Sequence, residues 1–141
     1  MKWHMRWMRR AKEVSTWSKD TTKCGCVIAN GKNHIAEGYN GFPSRIEDKA
    51  ELISNREEKW KRTVHSEINA ILRMYSGPYL GTDMYCYPHL PCFQCVPIIL
   101  STDIRYLHCV SNYPREWDKD TLKLLAEGNI KTNLYDESLL S

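Results

Sequence analysis

The sequence predicts an α/β protein, a three-layer α/β/α sandwich around one mixed five-stranded sheet. Three observations predict it. Asn30-Gly31 is a strong hairpin signal between two β-prone stretches, strand and helix patterns alternate after it, and an amphipathic helix precedes everything. A hairpin followed by such alternation places helices on both faces of a single mixed sheet.

The elements follow in order. Trp3, Trp7, Ala11 and Val14 fall near helical spacing, so a helix over about 3–17 should pack this stripe on the core. CGCVIAN (24–30) and HIAEGY (34–39) are the hairpin strands, and the turn cluster NGFP follows. Residues 44–62 are dense in charges of both signs and read as a solvated loop or helix face. VHSEINAILRMY places Ile68, Ile71, Leu72 and Tyr75 at i, i+3, i+4 and i+7, a helix stopped by Gly77-Pro78. A strand at 83–88, a short helix after LPCFQC, a strand at 105–110, a helix at about 116–127 ended by Gly128, and a strand at 130–134 complete the chain.

Composition bounds the function. The 141 residues fit one domain, 1–141, with 42% hydrophobic and 26% charged residues and a formal charge of only +3. That charge argues against a strongly basic nucleic-acid wrapper. No apolar run approaches a membrane span, and the first residues lack the apolar centre of a signal peptide, so a cytoplasmic protein is expected. The six cysteines then read as metal ligands or buried thiols rather than disulfides.

The chemistry lies in VHSEINAIL (64–72) and PCFQC (91–95). Cys92 and Cys95 are three apart, hence on one face if they open a helix, and Pro91 suits such a start. With His65 they make a Cys2His set, and three protein ligands leave a fourth position open, as in catalytic zinc sites. Glu67, two residues past the histidine, lies close to that position without being needed as a ligand. A carboxylate there can take a proton from water and hand it to a substrate nitrogen. His65-Ser66-Glu67 followed by Pro91-Cys92-Phe93-Gln94-Cys95 is similar to the H-x-E…P-C-x-x-C signature of zinc nucleobase deaminases. Zinc in such a site lowers the pKa of water toward about 7, and hydroxide attack on the amino-bearing carbon would release ammonia.

VHSEINAIL further resembles the V-H-A-E-x-N-A-I of deoxycytidylate deaminases, within the cytidine deaminase superfamily. Ser18-Lys19-Asp20 looks like that family's S-K-D, GYNGFP (38–43) like its G-Y-N-G-x-P, and LLAEGNI (124–130), after Tyr113, like its final helix and turn. The resemblance implies a cytidine deaminase-like fold and hydrolytic deamination of dCMP to dUMP, the precursor of thymidylate. It implies Asn40 on the sugar, Tyr39 shaping the pocket, Ser18 and Lys19 on the 5′-phosphate, and Tyr113 closing over the nucleotide. Arg45, Arg56, Lys61 and Arg62 are further phosphate candidates. Ser66 stands where the family usually has Ala; both are small, and the backbone N–H is unchanged. The family usually forms hexamers, so a homo-oligomer is implied. A dCTP effector is implied as well, but Arg45 occupies the loop position where many relatives have Gly, which argues against that control.

One zinc per chain is expected. Some relatives hold a second, structural zinc, but residues 35–64 contain neither Cys nor His. Cys24, Cys26, Cys86 and Cys109 then read as small hydrophobes in strands. Pro97 is tolerated if the second zinc helix begins only at Phe93 or Gln94. Two other readings stand beside this one: a deaminase acting on tRNA or single-stranded DNA, which the modest charge does not favour, and a structural-zinc binding module with Cys24 or Cys26 as fourth ligand.

Overall fold

The computed structural model describes residues 2–74 and 81–141. The chain runs α1 (Lys2–Ser15), β1 (Gly25–Asn30), β2 (Asn33–Tyr39), α2 (Ala50–Ile53), α3 (Arg56–Arg62), α4 (Ser66–Leu72), β3 (Thr82–Tyr87), α5 (Val96–Leu100), β4 (Ile104–Val110), α6 (Asp118–Glu127) and β5 (Lys131–Tyr135). A 3₁₀ turn, Glu137–Leu140, follows. The strands form one sheet in the order β2-β1-β3-β4-β5. β1 pairs antiparallel with β2 and β3, whereas β3-β4 and β4-β5 are parallel, so the sheet is mixed as expected.

Strand alternation divides the core in two. Cys26, Ile28, Met84, Cys86, Leu107 and Cys109 face one side, where Ala70 of α4, Val96 and Ile99 of α5 and Leu125 of α6 cover them. Val27, Ala29, Tyr85 and Val110 face the other, against Met5, Met8 and Ala11 of α1 and Leu140 of the 3₁₀ turn. Full burial of each large aliphatic side chain contributes about 1.5–3 kcal/mol.

Two helices meet the sheet differently from the sequence expectation. The buried stripe of α1 is Met5, Met8, Ala11, Val14 and Ser15, while Trp3 is 38% exposed. Trp7 is half-buried and donates its indole N–H to Gly31 O at 2.7 Å. Unbranched Met side chains fill the gap over the sheet, and the indoles lie outside it with their polar edges free to bond. In α4 the buried residues are Ser66, Glu67 and Ala70, whereas Leu72 is 71% exposed. The helix presses its small residues on Gly38, where an added Cβ would sit 2.5 Å from Ala70 N and 2.8 Å from Ser66 O. Helix α4 ends at Leu72; the expected Tyr75 contact and Gly77-Pro78 stop lie outside the described residues. The charged stretch forms α2 and α3, neither with a buried residue.

Candidate active site

Three segments bring the site together at one end of the sheet. His65 is the N-cap residue of α4, with φ −68° and ψ 155°, so its ring leaves the helix axis. Val64, just before it, pairs with Gly41 through N–H···O bonds of 2.8 and 3.1 Å, and Asn69 Nδ2 donates to Tyr39 O at 2.8 Å. The GYNGFP loop is thereby stitched alongside the start of α4. Cys92 and Cys95 lie in the turn before α5 rather than in its first turn: Cys95 N donates to Cys92 O at 2.9 Å, and Cys95 is the N-cap. Pro97 then occupies the start of the helix, where its missing N–H removes no bond.

The donor atoms converge. His65 Nδ1 lies 3.2 Å from Cys95 Sγ and 3.4 Å from Cys92 Sγ, and the two sulfurs are 3.5 Å apart. Tetrahedral zinc with these ligands separates them by about 3.5–3.8 Å, so the residues fit the ion with small adjustments. Contacts from Cys95 and then His65 hold the Cys92 thiol well below its ordinary range, toward the thiolate that metal binding needs, although burial opposes them. The His65–Cys92 contact in turn raises the imidazole, again against burial.

Glu67, 6% exposed, lines the same cavity, and burial raises its carboxyl above the usual carboxylate range. The cavity measures about 550 Å³. Beyond His65, Cys92 and Glu67, its wall includes Ser66 and Asn40, as the sequence expected of substrate contacts. The Ser66 hydroxyl is buried without a partner. The Asn40 amide is partly used: Oδ1 accepts from Cys24 N at 2.9 Å and Nδ2 donates to Thr22 O at 2.7 Å.

The other expected contacts lie off this wall. Ser18 is buried beneath it and donates to Asn40 O at 2.8 Å, so it supports the loop from behind. Tyr39 is exposed and meets Trp17 edge-on. Lys19 points to solvent and pairs with Asp48 at 3.0 Å. Tyr113 donates its hydroxyl to Glu137, and its carbonyl lies 3.1 Å from His89 Nδ1. Arg62 and Lys61 pair with Glu58, and Arg56 stacks on Trp60.

Two cations outside the expected set line the cavity. Lys59 reaches the wall from α3 and bonds Asp20 Oδ1 at 3.0 Å. Burial alone would raise the Asp20 carboxyl, but the Thr22 N–H and Lys59 hold it below its ordinary value. Arg115 also lines the cavity; its Nη2 donates to Leu90 O at 2.6 Å, its Nε is buried without a partner, and its guanidinium stacks on Trp117. Its signal was present in NYPREW (112–117), a cation between aromatic residues. Cys24, expected in a strand, precedes β1 and lines the cavity, where burial pushes its thiol up to about 12. Cys26, Cys86 and Cys109 are fully buried strand residues.

Comparison with known proteins is consistent with this geometry. The family model described as the cytidine and deoxycytidylate deaminase zinc-binding region matches residues 1–111. An "uncharacterized deaminase in luxG 3'region" of Aliivibrio fischeri is 36% identical over 109 residues, covering 77% of this chain and 72% of that protein. Human deoxycytidylate deaminase is 29% identical over 111 residues, and the chain spans only 62% of its length. The crystal structure of dCMP deaminase from cyanophage S-TIM5, in complex with dCMP and dUMP, superposes with a TM-score of 0.77. It is 21% identical and covers 94% of this chain and 96% of that one, a likeness of fold. Among the described residues, no helix is long and apolar enough to cross a membrane.

Proposed function

Since the chain belongs to the cytidine and deoxycytidylate deaminase zinc-binding family, we propose that it hydrolyses dCMP to dUMP and ammonia in the cavity lined by His65, Glu67 and Cys92, with Cys95 completing the donor set beneath its wall. The observation that carries this reading is a buried carboxylate beside a Cys2His donor set, on a cavity wall that also includes Arg115.

His65, Cys92 and Cys95 would hold the zinc, which when bound would supply a Lewis acid for the activation of water near neutral pH. Glu67 performs the proton transfers. It takes the proton that the attacking water releases, delivers it to the ring nitrogen beside the amino-bearing carbon, and then carries a proton to the departing amine. Burial alone raises its carboxyl, and the charge of a bound zinc would oppose that shift, leaving a carboxylate to accept the first proton. Asn40 retains one amide N–H and one lone pair for the sugar, and Ser66 offers a hydroxyl to the base. Arg115 and Lys59 take the 5′-phosphate in place of Lys19. The product dUMP feeds thymidylate synthesis. The protein works in the cytoplasm as a homo-oligomer of single deaminase domains, and Arg45 removes control by dCTP. Exposure of Leu72 (71%) on α4 and Ile98 (44%) on α5 supports association of copies.

A second reading is favoured by the exposed aromatic residues Trp60, Phe93 and Trp117 at the cavity wall, which could stack bases of a single strand. An ammonia-release assay on dCMP, deoxycytidine, dCTP and a cytosine-containing oligonucleotide separates the two. Turnover of dCMP over the others, lost on chelation, is expected; turnover of the oligonucleotide alone replaces the nucleotide reading. Arg115→Met should lower kcat/KM for dCMP by about 10–100-fold, the worth of a charged hydrogen bond. Deoxycytidine, which lacks the phosphate, should be nearly unaffected, and an equal loss on both substrates would take Arg115 off the phosphate.

A further inference from the structure

The face of the sheet opposite the Cys2His set carries another cluster of donor atoms. His4 on α1, Asp83 on β3 and His108 on β4 each bring one donor atom to within 4.8 Å of the others. His108 is fully buried, with Nε2 at 2.6 Å from Asp83 Oδ2 and Nδ1 at 2.9 Å from the Tyr135 hydroxyl. His4 Nδ1 lies 3.9 Å from the same Asp83 oxygen and 2.7 Å from the Tyr85 hydroxyl. The rings are held by stacking, with His4 and Tyr85 each centred 4.4 Å from His108.

From this arrangement we infer that His4, Asp83 and His108 form a second metal site, for a divalent first-row transition cation. One hydrogen-bonded His–Asp pair would satisfy a buried imidazole. Here two imidazole nitrogens from different elements converge on one carboxylate oxygen, which is the donor set of two-histidine, one-carboxylate metal centres. Donors at right angles on such an ion, with bonds of about 2.1 Å, lie about 3 Å apart, and the observed 2.6 and 3.9 Å fall on either side of that value. A small swing of the Asp83 carboxylate toward His4 equalises them. The Tyr85 hydroxyl, 2.7 Å from His4 Nδ1, has to give up that nitrogen to the ion, while the outer contact of His108 fits as it stands. With Nε2 on the ion, His108 Nδ1–H donates to the Tyr135 hydroxyl, the kind of second partner that fixes the ring of a metal-bound histidine. His4, with 36% of its side chain exposed, provides the way in.

The site is all nitrogen and oxygen, so its preference differs from that of the two-thiolate set. It departs from the expectation of one metal per chain, which weighed only residues 35–64 for a second ion. Its consequence is structural, because a cation there ties the N-terminal helix to two central strands. It does not depend on the substrate assigned above.

The test uses the full chain, zinc-replete and desalted, titrated with Co²⁺. One cobalt per chain should bind in addition to the zinc, with weak visible bands and no near-ultraviolet thiolate-to-cobalt charge transfer. His4→Gln and Asp83→Asn should each weaken that binding by at least about tenfold and keep the zinc. Both residues are partly exposed, and far-ultraviolet circular dichroism checks that the variants fold. Absence of cobalt binding to the zinc-replete wild type, binding unchanged in both variants, or a charge-transfer band placing cobalt on the cysteines would each overturn the site.

Discussion

Glu67→Gln should lower kcat by at least about 10²–10⁴-fold while leaving the zinc content at the wild-type level, because it removes proton transfer and nothing else. The amide keeps the volume of a side chain that is 6% exposed, so the wall of the cavity is preserved. It can neither accept the proton released by water nor return one to the departing amine. The reaction needs both transfers, so one substitution interrupts it twice. Steady-state kinetics with dCMP and metal analysis of the same sample check the result. Loss of zinc together with activity would make Glu67 a ligand, and near-normal turnover would place the proton carrier elsewhere in the cavity.

The second large effect is on the fold beneath the site. Gly38→Ala would place a methyl group 2.5 Å from Ala70 N and 2.9 Å from Asn69 C, all backbone atoms that no rotamer change can move aside. Either α4 lifts from β2 or the strand bends, at a cost of about 3 kcal/mol, which corresponds to a Tm lower by roughly 8–12 °C in a chain of this size. Activity should fall by more than the unfolded fraction explains. His65 and Glu67 stand at the start of the displaced helix, while Cys92 and Cys95 are held by the separate turn before α5. Thermal melts, with zinc affinity of the folded fraction, measure the two consequences. By contrast Gly41→Ala, where an added Cβ meets nothing within 4 Å, should leave both nearly unchanged.

Much of the fold was legible because the signals are local. Asn30-Gly31 marks its hairpin, with Gly31 at φ +60°, and Gly128 ends α6. Alternating strands and helices then led to the mixed sheet. Local reading failed where packing decides. Helical period alone placed Trp3 on the core side of α1, but the space over β1 and β3 admits Met5 and Met8. A helix after LPCFQC was expected and α5 begins at Val96, but spacing left open whether Cys92 and Cys95 open that helix or the turn before it, since a turn and a helix both bring residues i and i+3 together. In the site, His65, Glu67, Cys92 and Cys95 could be named in advance because their spacing is short and their chemistry is restrictive. Arg115 and Lys59 could not be chosen over Arg56 or Arg62, since which face of α3 and which loop meet the cavity depends on contacts distant in sequence.

The sequence by itself determined the order of the strands and of the helices packed on them, the hairpin, the Cys2His donor set with its neighbouring carboxylate, and hence the class of chemistry, but not the two exposed helices α2 and α3. Those properties depend on neighbours a few residues apart. Only the tertiary structure decided which side of each helix is buried, which cations line the cavity, and that residues 4, 83 and 108 share one carboxylate oxygen across three elements. Such groupings are set when a sheet and its helices close on one another, and no short-range pattern encodes them.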